Sequence, residues 1–516
     1  MTTASGVSLA AAFLVCCAMT ALHDYHMFQL NSYKPREHLA WLGRNFQRDW
    51  LPRHAPALAA LAASLAAPSA AVILSVLFYA LQLYLNRPRK AKKPLVFTNR
   101  MKRMLVTNGA LAVGIAAGSL SAGAAQPAIL ALALLATPLL ALLSNAINSP
   151  VERAVSSWYV NDARRIIRSM PGLVVIGVTG SYGKTSTKYF LQKLLSPKYN
   201  VLMTPGNYNT ALGVVKTIRT LLKPVHDVFV CEMGARQAGD IKEICDIVKP
   251  RYGVITSIGP QHLESFGSIE NIIETKFELA DALPDDGILF LNFDNEHIRG
   301  QESRKETVFY SASGGGDYNA REIEVSSAGS SFSVAFPGGY EGRFETKLIG
   351  RHNVSNITAA IAVADRLGVS AGDIGVCVRR LEAVPHRLQL IDRKDIIIID
   401  DAYNSNESGA KAALEVLGMF DGFKILITPG MVELGASGDM YNRRFGAQAG
   451  AICDYVALVG ERGTGSVLAG LRDAAFPEEK IYIAPDVGRA FERIAALRSG
   501  GARKVVLIEN DLPDNY

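Results

Sequence analysis

Cysteine is scarce in this chain, six residues in 516, and none of the six stands at metal-ligand spacing. Cys16 and Cys17 are adjacent inside an apolar run, while Cys231, Cys245, Cys377 and Cys453 are scattered. That distribution argues against a zinc site or a disulfide framework and for buried small thiols in a reducing compartment. Charge is also short: charged residues make up 20% of the chain against 49% hydrophobic ones, and mean hydropathy is positive. The apolar excess lies before about residue 145. The net charge of +6 comes from local basic clusters rather than a basic face, so no nucleic-acid partner is expected. Residues 7–22 are apolar but lack a basic leader and a small-residue cleavage site, which favours a retained membrane helix over a removed signal peptide.

Three further apolar blocks follow, at 55–85 (interrupted by Pro68), 105–120 and 127–143. Between the second and third lie Arg87, Arg89, Lys90, Lys92, Lys93, Arg100, Lys102 and Arg103, with no acid among them. Such a loop belongs on the cytoplasmic side, and two more spans return the chain there. A multi-pass segment over 1–149 with cytoplasmic catalytic domains is therefore expected. The side taken by 23–54 stays open. A single tilted crossing by 55–85 would put it outside and a short re-entrant pair there inside; its basic residues favour the inside, the length of the block one crossing. Trp41 and Trp50 are expected as interface anchors.

Beyond residue 150 the composition becomes that of an α/β protein. Apolar strand-like runs at 173–178, 228–231, 254–258 and 288–291 alternate with helical stretches, which predicts a parallel sheet wrapped by helices. Residues 311–347 read as attached antiparallel hairpins. Five more runs, at 396–399, 424–427, 455–459, 480–483 and 505–508, predict a second, Rossmann-like doubly wound domain. The expected domains are 1–149, 150–384 and 385–516.

Chemistry concentrates after the first of these strands, in Gly177-Val178-Thr179-Gly180-Ser181-Tyr182-Gly183-Lys184-Thr185-Ser186-Thr187. A strand, a glycine-rich turn and a helix N-terminus aim backbone N–H groups at an anion, and Lys184 adds a mobile charge. Thr185 is placed to ligate the Mg²⁺ that travels with ATP. The spacing departs from the common P-loop, whose first glycine would fall on Val178; what fits is T-G-x-x-G-K-T. Three groups past later strands join the argument. Glu232 stands where an acid would reach the P-loop metal, although an acid after a strand serves a solvated loop as readily. His262 and Lys276 alone would be a structural histidine and a solvated lysine on an exposed helix face. Their order behind a phosphate loop is what raises them.

The chain resembles the Mur ligase family, the ATP-dependent amide-forming enzymes of cell-wall synthesis. The resemblance rests on the T-G-S-Y-G-K-T-S-T loop, Thr204-Pro205-Gly206-Asn207-Tyr208-Asn209, Glu232-Met233-Gly234-Ala235 and Ile258-Gly259-Pro260-Gln261-His262-Leu263-Glu264. It extends to Gly350-Arg351-His352-Asn353-Val354-Ser355-Asn356 and Asp400-Asp401-Ala402-Tyr403-Asn404-Ser405-Asn406. It covers roughly residues 150–510, and the Met-Gly after Glu232 and the Tyr-Asn-Ser-Asn run point to the D-alanyl-D-alanine-adding branch. The resemblance implies that Thr179, Gly180, Ser181, Gly183, Lys184, Thr185 and Ser186 cradle ATP. It places one Mg²⁺ on Thr185 and Glu232, and a second on His262 and Lys276, a lysine often carbamylated in this family. Asn292, Asp294, His352, Asn353 and Asn356 would contact the nucleotide, and Arg387 and Asp401 would close over it. A carboxylate would be phosphorylated and the acyl phosphate attacked by an amine, with Lys184, His262 and Lys276 supporting the reaction.

Several departures bear on the substrates. The family's UDP-binding domain has no counterpart, and apolar helices occupy its place. Thr210 stands where asparagine is usual, Glu407 where proline is, and Pro429-Gly430-Met431 where a glycine–aspartate–methionine run is. The donor could be a soluble muramoyl peptide, with the helices an anchor, or a carboxylate presented on a lipid; the amine, an amino acid or dipeptide, is not fixed. Two other classes fit the sequence less well. A membrane transport ATPase of the ABC type should show an L-S-G-G-Q-like signature, and none is present. A catalytically dead membrane scaffold conflicts with the joint presence of Lys184, Thr185, Glu232, His262 and Lys276.

Overall fold

The computed structural model describes residues 3–87, 93–261, 263–403, 406–432, 434, 437–460 and 464–511. Packing divides them into two compact units, one before residue 159 and one from Tyr159 onward.

The first unit is helical: Thr3–Leu30, Pro35–Asn45, Leu51–Ala66, Ala71–Leu85, Asn99–Ser119, Gln126–Leu135 and the first part of Thr137–Arg168. The apolar block 55–85 is two helices separated by a turn at 67–70 that holds Pro68, whose missing N–H removes one helical hydrogen bond. Two stretches, Ala4–Leu30 and Asn99–Leu135, are long and apolar enough to cross a membrane, and Ala71–Leu85 is a shorter apolar helix. The second is interrupted at Gly123, whose φ is +55°. Leu9, Phe13, Cys16, Cys17, Tyr79 and Leu130 form the interior. Trp41, expected at an interface, is instead buried and stacked on His38 with ring centroids 5.9 Å apart. All six cysteines are buried free thiols.

In the second unit the described residues form two sheets. The larger takes β1 (Val174–Thr179), β2 (Val201–Met203), β3 (Val228–Glu232), β4 (Tyr252–Ile255), β5 (Ile288–Asn292), β6 (Glu306–Ser311), β7 (Tyr318–Ser326), β8 (Gly329–Ala335) and β9 (Glu341–Thr346). Its order is β2-β3-β1-β4-β5-β6-β7-β8-β9, parallel through β7 and antiparallel across β7, β8 and β9. The smaller sheet runs β10 (Gln389–Arg393), β11 (Ile396–Asp401), β15 (Lys504–Glu509), β12 (Phe423–Thr428), β13 (Tyr455–Val459) and β14 (Ile481–Ala484). Only β10 is antiparallel to its neighbour. Both sheets are parallel in their centres, and their inner strands are apolar on both faces as that geometry requires.

One face of β1, through Ile176 and Val178, packs on Phe190, Leu191 and Leu194 of helix Lys184–Leu195 and on Val354, Ile357 and Ile361 of helix Arg351–Arg366. The other face, through Val175, packs with Phe229, Val214, Ile218, Ile244 and Leu279. Each such fully buried side chain contributes about 1.5–3 kcal/mol. This double coverage holds the carboxyl ends of β1, β3 and β4 side by side, the place where an open parallel sheet presents a ligand site.

Candidate phosphate and metal site

The loop after β1 is held from outside as well as by its own turn. Ser181 N–H donates to Ser257 O (2.6 Å), Ser181 Oγ to Gly259 O (3.0 Å), and Tyr182 N–H to Ser257 Oγ (3.1 Å). Thr179 Oγ1 donates to Met233 O (2.9 Å), tying β1 to the end of β3. The hydroxyls of Thr179 and Ser181 therefore build the loop rather than face a ligand. Two glycines are required by this geometry. At Gly180 (φ +144°) a Cβ would sit 2.2 Å from Thr256 Oγ1, and at Gly183 (φ +81°) it would sit 2.6 Å from Asn356 Oδ1. Asn356 is thereby brought against the loop from helix Arg351–Arg366.

Helix Lys184–Leu195 begins at Gly183 with no side chain capping it, unlike the helices capped by Thr210, Ser268, Ser370, Asn406 and Asp486. Its first N–H groups and dipole thus face the cradle, where an anion is favoured. Ser186 lies in its first turn, half-buried. Lys184 Nζ donates to Gly180 O (2.7 Å) and Ser181 O (2.8 Å). Burial, aided by the Arg387 charge and opposed by Glu232, draws its pKa down to about 8.

At the end of β3, Glu232 is 1% exposed. Its Oε1 accepts from Thr185 Oγ1 (3.2 Å) and Asn209 Nδ2 (3.0 Å), and its Oε2 from Lys188 Nζ (2.9 Å). Among the described residues no cluster of three or more His, Cys, Asp or Glu forms a self-sufficient metal cage. A hydroxyl and a carboxylate facing each other beside a phosphate cradle suit Mg²⁺, which completes its shell from phosphates and water. His262 lies outside the described residues.

Lys276 was expected on an exposed helix face; instead it is 3% exposed, inside the packing of helix Ile269–Ala282, with its ammonium 5.9 Å from the Phe266 ring centroid. Burial first, then the Lys184 charge, lowers its pKa to about 7. The turn after Phe266, continued by the Ser268 cap, points this helix's apolar stripe at the sheet, and Lys276 lies within that stripe.

The remaining expected contacts are spread more widely. Asn292 Nδ2 donates to Thr256 O (2.8 Å), and Asp294 accepts from Ala312 N–H (2.7 Å) and Ser311 Oγ (2.5 Å), so both brace the loops beside the cradle. Asn353 Nδ2 donates to Ile349 O (2.9 Å), and His352 is exposed. From the smaller sheet, Arg387 sits between His386 and Leu388, both in the left-handed region (φ +60° and +46°), a strained turn of the kind found at functional positions. Its guanidinium lies 4.4 Å over the Tyr403 ring. Burial raises the Tyr403 pKa, opposed by Arg387 and by a hydrogen bond with Asn207, while the Glu232 charge adds to it; the smaller sheet thus reaches the Glu232 site. Asp401 accepts from Leu388 N–H (3.1 Å) and pairs in register with Glu509; burial lifts its pKa to about 6 against the pull of Arg387.

Asn209 and Tyr403 stand within the motifs of the resemblance without a role of their own, and Lys188 and the Thr256–Ser257 pair lie outside every expected contact. Lys188 had a signal, since position i+4 from Lys184 shares its helix face.

The fold and the loop define a P-loop α/β protein with a second doubly wound sheet. Residues 178–364 match the Mur ligase middle domain and residues 386–509 the Mur ligase glutamate ligase domain, together more than half the chain, so it belongs to the Mur ligases. It is 34% identical over 296 residues to the UDP-N-acetylmuramoyl-tripeptide--D-alanyl-D-alanine ligase of Escherichia coli, covering 56% of this chain and 65% of that protein. The Bacillus subtilis enzyme of the same name is 33% identical over 279 residues, 54% of this chain and 60% of that one. The chain thus spans less than two thirds of the length of these curated relatives. Among solved structures, MurF from Acinetobacter baumannii superposes with a TM-score of 0.63 at 27% identity, covering 70% of this chain and 78% of that one. MurF ligase from Thermotoga maritima in complex with ADP gives 0.60 at 27%, covering 69% and 80%.

Proposed function

We propose that this protein is an ATP-dependent ligase that joins the carboxylate of a muramoyl tripeptide to the amine of D-alanyl-D-alanine. The observation that carries this reading is the Thr185–Glu232 pair set beside the uncapped helix start and Lys184. The named relatives act on these substrates, and one solved neighbour holds ADP. A lipid-linked donor, which the helical first unit brings to mind, has no such support.

In the reaction, a donor carboxylate oxygen attacks the γ-phosphorus of ATP and ADP leaves, giving an acyl phosphate. The amine then attacks the carbonyl carbon, phosphate departs with the bonding pair, and the amine's proton is released to solvent or a base. Lys184 and the N–H groups at the start of helix Lys184–Leu195 hold the phosphates in line. Mg²⁺ on Thr185 and Glu232 would supply charge neutralisation on the transferring group. Lys276, whose ammonium burial destabilises, would add CO₂ and release a proton to give a carbamate, an anionic ligand of the kind the family resemblance implies there. Arg387 and Tyr403 set the smaller sheet near the cradle, and closure of the two sheets over bound ATP would exclude water from the acyl phosphate. Residues 1–149 would anchor the enzyme with 150–384 and 385–516, the central and C-terminal domains, on the cytoplasmic side. The two long apolar helices and the basic stretch at 87–103 support that anchoring.

The test is direct. Purified full-length protein given Mg²⁺, ATP, UDP-N-acetylmuramoyl tripeptide and D-alanyl-D-alanine should release phosphate and form the pentapeptide product by mass spectrometry. Phosphate release that ignores both substrates, or ligation of a different amine at the faster rate, would overturn the assignment.

A further inference from the structure

We propose that Lys188 is a positioning residue: it caps one carboxylate oxygen of Glu232, so that only the other oxygen can be offered to a divalent cation, and the site thereby selects Mg²⁺ over Ca²⁺. The inference rests on the ATP–Mg²⁺ reading above.

Lys184 and Lys188 lie one turn apart on the same helix yet are used in opposite ways. Lys184 stays with the loop carbonyls at the mouth of the cradle. Lys188 is fully buried, and its ammonium donates to Glu232 Oε2 (2.9 Å) and to Gly206 O (2.7 Å). The two ends of the carboxylate are therefore not equivalent. Oε1 meets Thr185 Oγ1 (3.2 Å) and Asn209 Nδ2 (3.0 Å), neutral groups that can turn away from an arriving cation. Oε2 meets a buried ammonium that has no other carboxylate among its hydrogen-bond partners.

The backbone reinforces this asymmetry. Glu232 N–H donates to Thr204 Oγ1 (3.1 Å), and the Gly206 carbonyl that shares Lys188 belongs to the same loop, residues 204–209. Rotating Glu232 to present both oxygens would break the bridge and strand a charged ammonium in the interior, a strongly unfavourable state. Mg²⁺ holds a tight octahedral shell and accepts carboxylates through single oxygens, whereas the larger Ca²⁺ gains from bidentate carboxylates and higher coordination. Withholding Oε2 therefore costs Mg²⁺ nothing and denies Ca²⁺ a ligand. This gives Lys188 a role that Lys184 cannot share and explains why a lysine occupies a fully buried helix position.

The experiment measures how strongly each cation raises ADP affinity, by titration calorimetry on the full-length protein in detergent with Mg²⁺, with Ca²⁺ and with neither. In Lys188→Met the Mg²⁺ enhancement is expected to fall by about 10–100-fold, as for other groups that orient metal ligands. The Ca²⁺ enhancement should fall less, so the Mg²⁺/Ca²⁺ ratio drops by about tenfold or more. Lys188→Arg, which keeps a charged donor on the capped oxygen, should hold the ratio within about threefold of wild type. A folded Lys188→Met with the wild-type ratio would overturn the proposal, as would an arginine variant whose ratio falls as far as the methionine variant's. Should Lys188→Met fail to fold, the double variant Lys188→Met with Glu232→Gln leaves no buried charge and one acceptor oxygen. Both enhancements should then weaken at a preserved ratio, and a collapsed ratio refutes the idea. If the wild type itself gains no ADP affinity from Mg²⁺, the ATP–Mg²⁺ reading fails first, and that is visible before any variant is compared.

Discussion

Replacing Lys276 by methionine should make the protein more stable near neutral pH while removing its ligase activity. A lysine in water holds its proton to about 10.5, and burial in helix Ile269–Ala282, with the Lys184 charge nearby, lowers this one to about 7. Between those values the unfolded chain binds more protons than the folded one, so stability rises with pH across that interval and the penalty is fully present below about pH 7. At about 1.4 kcal/mol per pH unit the whole interval of about 3.5 units is worth roughly 5 kcal/mol. Methionine has a similar volume and no charge to strip of water. The stability advantage of Lys276→Met over wild type should therefore be largest at pH 6–7 and shrink by roughly 4 kcal/mol by pH 10. All three tryptophans, Trp41, Trp50 and Trp158, precede the unit that contains Lys276, so scanning calorimetry rather than tryptophan emission is the suitable probe. Buffers are kept free of CO₂, since a carbamate would add its own charge. An advantage that stays constant from pH 6 to pH 10 would refute the reasoning, because it would mean that Lys276 titrates alike in both states.

Two glycines separate steric need from turn convenience. Gly180→Ala sets a Cβ 2.2 Å from Thr256 Oγ1 at φ +144° and should abolish nucleotide binding and cost about 3 kcal/mol or more; Gly206→Ala, at φ +49° in open space, should cost about 1 kcal/mol, and equal effects on melting would count against this geometry. A reporter enzyme active only after export, fused behind Tyr516, should stay silent if the domains after residue 149 are cytoplasmic, and a signal from it would reverse that topology.

Most of the sheet framework was readable from sequence because parallel central strands must be apolar on both faces. The runs at 228–231, 288–291, 424–427 and 505–508 each fall inside an observed strand, and the helix expected to begin at Lys184 does so. What escaped were the edges. β2 is three residues long and half-buried, and β10 is antiparallel with Asp392 and Arg393 in it, so neither carries a continuous apolar signal. The second apolar block, interrupted by Pro68, is compatible by sequence with one tilted span or a short re-entrant pair; the turn around Pro68 divides it into two helices of 16 and 15 residues. At the hairpins, alternation in 311–347 was enough to predict antiparallel pairing, since β9 alternates exposed and buried positions residue by residue.

The candidate site was legible only where chemistry is written into a short local pattern. A strand, two glycines, a lysine and a hydroxyl within eight residues identify a phosphate cradle because backbone geometry and charge must coincide there. Lys188, Asn209 and Tyr403 act through contacts that the fold creates, with residues 44, 23 and roughly 170 positions away from Glu232 in sequence. A lysine looks the same in sequence whether it is solvated or sealed; at 276 the solvated default was wrong, and at 188 the residue was passed over. What distinguishes them is a partner. Lys188 faces a carboxylate, whereas Lys276 faces the Phe266 ring, and burial together with the Lys184 charge lowers its pKa to about 7. Two buried lysines beside one cradle are thus set in different electrostatic surroundings. That difference is what a site needs if one lysine is to stay bound to a carboxylate and the other is to react with CO₂, and it follows from which side chain each helix turn happens to meet.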